Sequence, residues 1–303
     1  MRLASTSKAY SGAAALSLVR RGQLALDDTV GERLPGLPAA WAAVTLRQAL
    51  HHTSGLPDYT NDSAFRADFG GDPLRRFTPP ELIAYVAGEP LRFAPDSAYK
   101  YSNTDNIVVG LMAEAVTGRS YERLLRTQVF APLRLTKTSL PNGAKLPRPF
   151  AHGYFYEESK PPEDVSEAVS MSGVWASGGM QSTAAELGRF VRGYVSGKLF
   201  GNALREQQRD WVKGESEPVG PGANSAGLAL FRYRMGCGTM YGHTGNFPGY
   251  TQFTAASSDG RRSATVSANT QLSQTSFSQP AFRALRRAFE RAACAALASA
   301  RER

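Results

Sequence analysis

Three short segments carry side chains suited to acyl-transfer chemistry: Ser5-Thr6-Ser7-Lys8, Tyr101-Ser102-Asn103 and His243-Thr244-Gly245. The Ser-x-x-Lys spacing sets a hydroxyl and an amine about one helical turn apart on one face. A serine at a helix start has backbone N–H groups and the positive end of the dipole beside it. A lysine whose pKa is lowered by its surroundings can take the hydroxyl proton. Tyr101 offers a phenol to relay a proton, and Asn103 an amide to bind a substrate peptide group or to cap the following helix. Gly245 lets a substrate backbone approach a strand edge, and Thr244 offers a hydroxyl to a carboxylate. The set describes a serine nucleophile that needs no metal, no cofactor and no histidine base.

Each segment also has a plainer reading. Ser5 could cap a helix, Tyr101 to Asn103 could form a turn, and His243 to Gly245 could end a strand. Competing copies exist as well. Ser97-Ala98-Tyr99-Lys100 repeats the first spacing but follows Pro95-Asp96 in a turn, whereas Ser5 opens a long apolar helix. Tyr59-Thr60-Asn61 repeats the second and reads as a turn. Only the three together favour chemistry.

The elements that must position them follow from periodicity. Ala9, Ala13, Leu16 and Val19 recur at helical spacing between Ser5 and Arg21, and Gly22 is a stop signal. Further helices are predicted over 45–52, over 103–117 and over 121–130. Thr78-Pro79-Pro80-Glu81 and Thr183-Ala184-Ala185-Glu186 read as capping boxes that open helices to about Ala87 and Val195. Residues 136–181 read as long loops with short strands. Four strands are predicted over 227–234, 237–243, 250–256 and 263–269, with Asp259-Gly260 as a hairpin turn. Residues 279–300 form an amphipathic helix with Phe282, Leu285, Phe289 and Ala292 on one stripe, to be packed on one sheet face.

Composition limits the alternatives. The net charge of +9 comes from 28 Arg and 7 Lys against 26 acids. The arginines are dispersed and not interleaved with aromatics, so no nucleic-acid footprint emerges. No apolar run is long enough to span a bilayer. His51, His52, His152 and His243 offer no metal-ligand spacing. Cys237 and Cys294 are either two buried thiols or one disulfide, which would imply an oxidising compartment.

The combined motifs resemble the serine β-lactamases and penicillin-binding proteins, with His243 where lysine is usual and Tyr101 in place of serine. The sequence looks like the branch that contains class C β-lactamases, serine D-alanyl-D-alanine carboxypeptidases and related esterases. The resemblance spans nearly the whole chain, including His51 to Tyr59, Ser177 to Thr183 and Tyr241 to Gly245. It is most similar to the secreted actinobacterial carboxypeptidases, which the paired Cys237 and Cys294 and the segments 58–62 and 257–261 also resemble.

The resemblance implies an α+β, β-lactamase/transpeptidase-like fold over residues 1–303. An antiparallel sheet with its helices would take about 1–22 and 181–303, and a helical lobe about 23–180. It implies that Ser5 attacks the acyl carbon, with Lys8 and Tyr101 sharing proton transfer and the choice of base left open. Asn103 would hold the substrate amide, His243 would support the proton network, and Thr244 would bind a terminal carboxylate. The backbone N–H groups of Ser5 and Asn246 would form an oxyanion hole. Trp175 would wall the pocket, although a core tryptophan fits equally, and Arg232 would assist a carboxylate, although a solvent-facing strand arginine fits that position better. The implied substrate is a peptidoglycan stem peptide or another acyl compound. β-Lactams would be covalent inhibitors, and the location would be extracellular or cell-wall associated. Family members carry two strands and a helix before the Ser-x-x-Lys helix. Their absence here suggests that the chain lacks an N-terminal piece and its export signal. It also leaves the strand at 263–269 with an unpaired edge.

Overall fold

The computed structural model describes residues 1–157, 160–275 and 278–299. Its principal helices are α1 (Ser7–Arg20), α2 (Leu46–His51), α3 (Ser63–Gly71), α4 (Pro79–Ala84), α5 (Asn103–Thr117), α6 (Ala184–Val195) and α7 (Gln279–Ala298). The main sheet is an antiparallel meander of β1 (Ala223–Gly227), β2 (Leu230–Met235), β3 (Gly238–Phe247), β4 (Tyr250–Ala256) and β5 (Ser263–Ala268), in that spatial order. The result is the expected β-lactamase/transpeptidase-like mixture of helices and antiparallel sheet.

Helix α1 is enclosed on every side: all residues from Ser7 to Leu18 are buried. Its Ala-rich sequence is therefore that of a central helix rather than an amphipathic surface one. Both faces of the sheet are covered as well. All seven residues of β4 are buried. Phe253 meets Phe282 and Phe289 of α7 at ring-centroid distances of 6.3 and 5.5 Å. The alternate residue Ala256 joins the core that contains Leu187 and Phe190 of α6. The stripe read from the sequence thus does pack α7 onto one face. Ala300 lies outside the described residues.

The sheet differs from expectation in two places. The apolar run at 227–234 is not one strand: residues 230–234 belong to β2 as expected, but Leu228-Ala229 is a hairpin turn and Gly227 ends the preceding strand β1. Ala229 takes φ +49°, which an alanine adopts only when its surroundings impose it. Here Ala229 N–H donates to the Leu50 carbonyl at 2.7 Å, and the Tyr194 hydroxyl donates to the Leu228 carbonyl at 3.0 Å. Strand β3 also runs four residues beyond His243, so the third motif lies inside a strand rather than at its end.

Two helical expectations also change. The segment 121–130 is helical as expected, but it widens from an α turn at Tyr121–Leu124 into a π turn over Leu125–Phe130, just ahead of Pro132, which cannot donate to the preceding turn. Glu186 does not complete its capping box. It is buried, and its carboxylate accepts from Thr136 N–H, Lys137 N–H and the Thr138 hydroxyl instead. At 78–81 the box forms as read.

Cys237, beside the β2–β3 turn, and Cys294 of α7 form a disulfide with Cα atoms 5.5 Å apart. The enclosed loop spans a separation of 57 residues, for which loop entropy gives about 4 kcal/mol of stabilisation. Non-reduced, unfolded protein should therefore contain no free thiol. Cys294→Ser should lower the melting temperature well beyond a typical surface substitution, by thermal denaturation. A thiol count of two would contradict the bond.

Candidate active site

Ser5 is aimed by a strand-like entry into α1. Arg2 pairs antiparallel with Gln181, flanked by two backbone bonds: Leu3 N–H donates to the Met180 carbonyl at 2.9 Å, and Ser182 N–H to the Met1 carbonyl at 3.1 Å. The buried Arg2 guanidinium fastens this entry to Gln181, Ala144 and Ser166. The chain then turns through Ala4 at φ +51° into a 3-10 turn, Ala4–Thr6. A left-handed alanine costs about 1–2 kcal/mol. Ser5 is half-buried on this turn and makes no capping bond, so the plain capping role does not apply.

Gly245 explains how β3 can lie against that turn. A Cβ at Gly245 would sit 2.7 Å from the Leu3 carbonyl oxygen and 2.8 Å from both Ser5 N and Thr6 N. The glycine is needed for the approach of the nucleophile's own backbone, not primarily for that of a substrate. Strand β2 ends at Leu230, and its register with β3 stops at Gly242. The β3 edge from His243 to Phe247 on that side is therefore free of β2. Phe247 and Tyr250 close a two-residue hairpin turn. Ladder alternation then directs the Asn246 N–H away from β4, toward the open edge.

Lys8 organises the chemistry. Its amine is fully buried and lies 2.7 Å from Asn103 Oδ1, 2.8 Å from the Ser177 carbonyl oxygen and 3.2 Å from Ser5 Oγ. Burial lowers its pKa to about 7, with Asp58, Glu217 and Asp105 pulling the other way. An uncharged amine has two N–H bonds, and two carbonyl oxygens accept them here. Ser5 Oγ is the third contact, so that once the amine is deprotonated its lone pair is directed at that hydroxyl.

Asn103 was expected to bind substrate. It instead accepts from Lys8 and gives its two N–H bonds to Asp58 Oδ2 at 3.0 Å and Thr60 Oγ1 at 3.1 Å. Its amide is a support for Lys8. Asp58 was not among the sequence candidates; the one sign of it was its place in the run Asp58 to Asp62.

Tyr101 lies beneath the same amine, with Lys8 Nζ 4.8 Å from the ring centroid. Burial raises its phenol well above the ordinary range, and the nearby Ser5 hydroxyl draws it down by less. The two hydroxyls are neighbours, and among the described residues Tyr101 Oη has no partner at full hydrogen-bond geometry. Behind Tyr101, the His52 ring lies at 4.5 Å, with Nδ1 2.7 Å from Asp105 Oδ2. Burial lowers the imidazole to about 3 and raises the carboxyl well above its ordinary range, and the buried pair packs against the Tyr101 ring.

The remaining candidates separate. His243 is buried and neutral, its pKa lowered by burial to about 3. Its Nδ1–H donates to the Thr244 carbonyl at 2.6 Å, and among the described residues Nε2 has no partner; no hydrogen bond joins it to Ser5 or Tyr101. Thr244 is fully buried, and its hydroxyl donates to the Pro218 carbonyl at 2.5 Å, so it offers nothing to a carboxylate in this arrangement. Trp175 does not wall the site. Its indole packs over Gly110, lies 5.0 Å from the Tyr121 ring and donates to Glu122 at 3.2 Å. Arg232 stacks on Trp211 and donates to Ser225 at 3.1 Å, because the β2 register turns it away from Ser5.

A cleft of about 390 Å³ opens over Ser5, lined by Tyr101, Asn103, Ser177, Glu217 and Asn246, with Phe65 and Phe69 of α3 as apolar wall. A larger groove along 122–140 holds none of the three motifs. Among the described residues no cluster of side chains could hold a metal ion, and no helix is long and apolar enough to cross a membrane.

Residues 1–288 match the family described as beta-lactamase. The chain belongs to the beta-lactamase family. It is thereby placed among the enzymes of the serine hydrolase superfamily. It is 28% identical over 264 residues to penicillin-binding protein 4* of Bacillus subtilis, covering 82% of this chain but only 56% of that relative. The chain thus spans little more than half the length of that relative. Among solved structures it is similar to a D-stereospecific amidohydrolase from Streptomyces, with TM-score 0.82 and 29% identity over 90% of this chain and 83% of the other. The fold is shared with a D-amino acid amidase from Ochrobactrum anthropi, with TM-score 0.81 and 24% identity over 96% and 83% of the two chains.

If the Lys8 lone pair is what Ser5 meets, kcat/KM should rise with pH along a limb centred near 7, because the amine must lose its proton. Lys8→Ala should lower the rate by about 10²–10⁴-fold. Asp58 is the largest charge favouring the protonated amine, so Asp58→Asn should move the limb to lower pH. A limb unmoved in Asp58→Asn would contradict this electrostatic picture.

Proposed function

We propose that the protein cleaves amide bonds through an acyl-enzyme on Ser5, with D-alanine-type peptides and amides as its substrate class. The observation that carries this is the fully buried Lys8 amine 3.2 Å from Ser5 Oγ, with a pKa that burial lowers to about 7. In acylation the Ser5 proton passes to Lys8 while Oγ bonds to the carbonyl carbon. The backbone N–H groups of Ser5 and Asn246 receive the oxyanion, a contribution often large in acyl transfer. Tyr101, kept protonated by burial, gives its proton to the leaving nitrogen as the C–N bond breaks, and Lys8 returns one to Tyr101. Water then attacks the ester carbon with Lys8 as base, releasing the acid and restoring Ser5.

Removal of C-terminal D-alanine from peptidoglycan stem peptides is the reading that the sequence motifs favour. It requires a donor for the terminal carboxylate, and the Thr244 hydroxyl is held by Pro218. Hydrolysis of D-amino acid amides makes no such demand. That bond, with the likeness to a D-stereospecific amidohydrolase, supports this second reading. β-Lactams, as cyclic amides, would acylate the same serine. The disulfide supports action outside the reducing cytosol, at the cell wall or beyond.

Intact-mass analysis after mixing with fluorescent penicillin and, separately, with N-acetyl-D-alanine p-nitrophenyl ester should give an adduct on Ser5 or burst kinetics. Ser5→Ala should give neither. Steady cleavage of D- over L-alaninamide derivatives should accompany it. No adduct, no burst and no cleavage in the wild type would overturn the proposal.

A further inference from the structure

The cleft carries a charge that the motifs do not account for. Glu217 lines the space over Ser5 and also a second cavity of about 810 Å³, which holds Tyr99 and Lys100. It is exposed and forms no ion pair or hydrogen bond among the described residues. Its charge bears on Lys8 and is the largest charge acting on Tyr101. The next residue, Pro218, supplies the carbonyl that takes the Thr244 hydroxyl. The segment 217–218 thus does two things at the position where the resemblance would seat a leaving residue's carboxylate. It closes the hydroxyl that would bind that group, and it places a carboxylate beside it.

Resting on the acyl-enzyme reading above, we infer that Glu217 is a specificity-determining residue at the leaving-group end of the cleft. It disfavours substrates whose leaving group bears a carboxylate and favours those whose leaving group is an amide nitrogen with a nearby ammonium. Like charges a few ångströms apart in a partly enclosed cleft repel strongly, and an ammonium there gains what a carboxylate loses. The other charged residue lining the cleft, Arg66, is turned to its own neighbours. It donates to the Thr60 carbonyl at 2.8 Å and to Asn61 Oδ1 at 2.7 Å. It belongs to α3, with Phe65 and Phe69, rather than to the Tyr101 and Thr244 side. Lys100 lines the second cavity with Glu217 and is the largest charge acting on it, favouring its ionised carboxylate against the effect of burial, without an ion pair between them among the described residues.

The test uses three substrates with one acyl group: N-acetyl-D-alanyl-D-alanine, its C-terminal amide, and N-acetyl-D-alanine N-(2-aminoethyl)amide. The wild-type protein should rank them, by kcat/KM, as ammonium over neutral over carboxylate. The readout is the ratio of ammonium-bearing to carboxylate-bearing substrate, so any general loss of rate cancels. That ratio should fall about tenfold or more in Glu217→Gln, invert in Glu217→Lys and persist in Glu217→Asp. A wild type that prefers the carboxylate substrate, or a ratio unmoved in Glu217→Gln and Glu217→Lys, overturns the inference while the acyl-enzyme reading stands. No turnover of any of the three by the wild type contradicts the substrate class itself and takes the inference with it.

Discussion

A lysine amine sealed from water, held by two carbonyl oxygens and a serine hydroxyl, is the interaction around which this structure is arranged. Burying an ammonium is expensive unless it is paired. Among the described residues no carboxylate lies within ion-pair distance of Lys8, and burial lowers its pKa to about 7. The Asn103 oxygen and the Ser177 carbonyl then fix its two N–H bonds, which sets the direction of its lone pair. Asp58 is the anchor one step back, since it orients Asn103 and opposes the loss of charge at the same time. The three sequence motifs meet because Lys8 needs a partner from the second and because the third presses against the turn that carries Ser5.

That contact is a constraint on the backbone as much as on side chains. Ala4 is held in the left-handed region, Gly245 has no room for a Cβ, and the first three residues are tied to 180–182 by hydrogen bonds and a buried guanidinium. Strain at a nucleophile persists only where neighbours over-determine it. Here the sheet, the central helix and the 180–182 segment each supply one side of the restraint. Strand β5 has no strand neighbour on its far side among the described residues, while α7 covers one of its faces. The disulfide fixes α7 to the opposite part of the sheet.

Much of this was legible in sequence because it is local. Ser5 and Lys8 share one turn of helix, the Thr78 box closes within four residues, and the stripe of α7 repeats regularly. What was not legible depends on partners far away in the chain. The hydrogen bonds of Asn103 join it to Lys8, Asp58 and Thr60, partners that its type and position in the sequence do not reveal. Thr244 meets Pro218 only because the 215–220 segment folds over β3. Arg232 and Trp175 are turned from the cleft by strand register and by the gap over Gly110. The Leu228-Ala229 turn carries none of the usual turn residues, and only Leu50 and Tyr194 reveal it. Glu217 belongs to no motif, and its position over the cleft emerges only in three dimensions.

The account therefore turns on the protonation state of one amine. The direct measurement is the 15N chemical shift of Lys8 Nζ followed by NMR across pH 5 to 10, assigned against Lys8→Arg. The account predicts a single transition centred near pH 7, above which the shift is that of a neutral amine with slowed N–H exchange. A Lys8 resonance that remains that of an ammonium ion beyond pH 9 would contradict it.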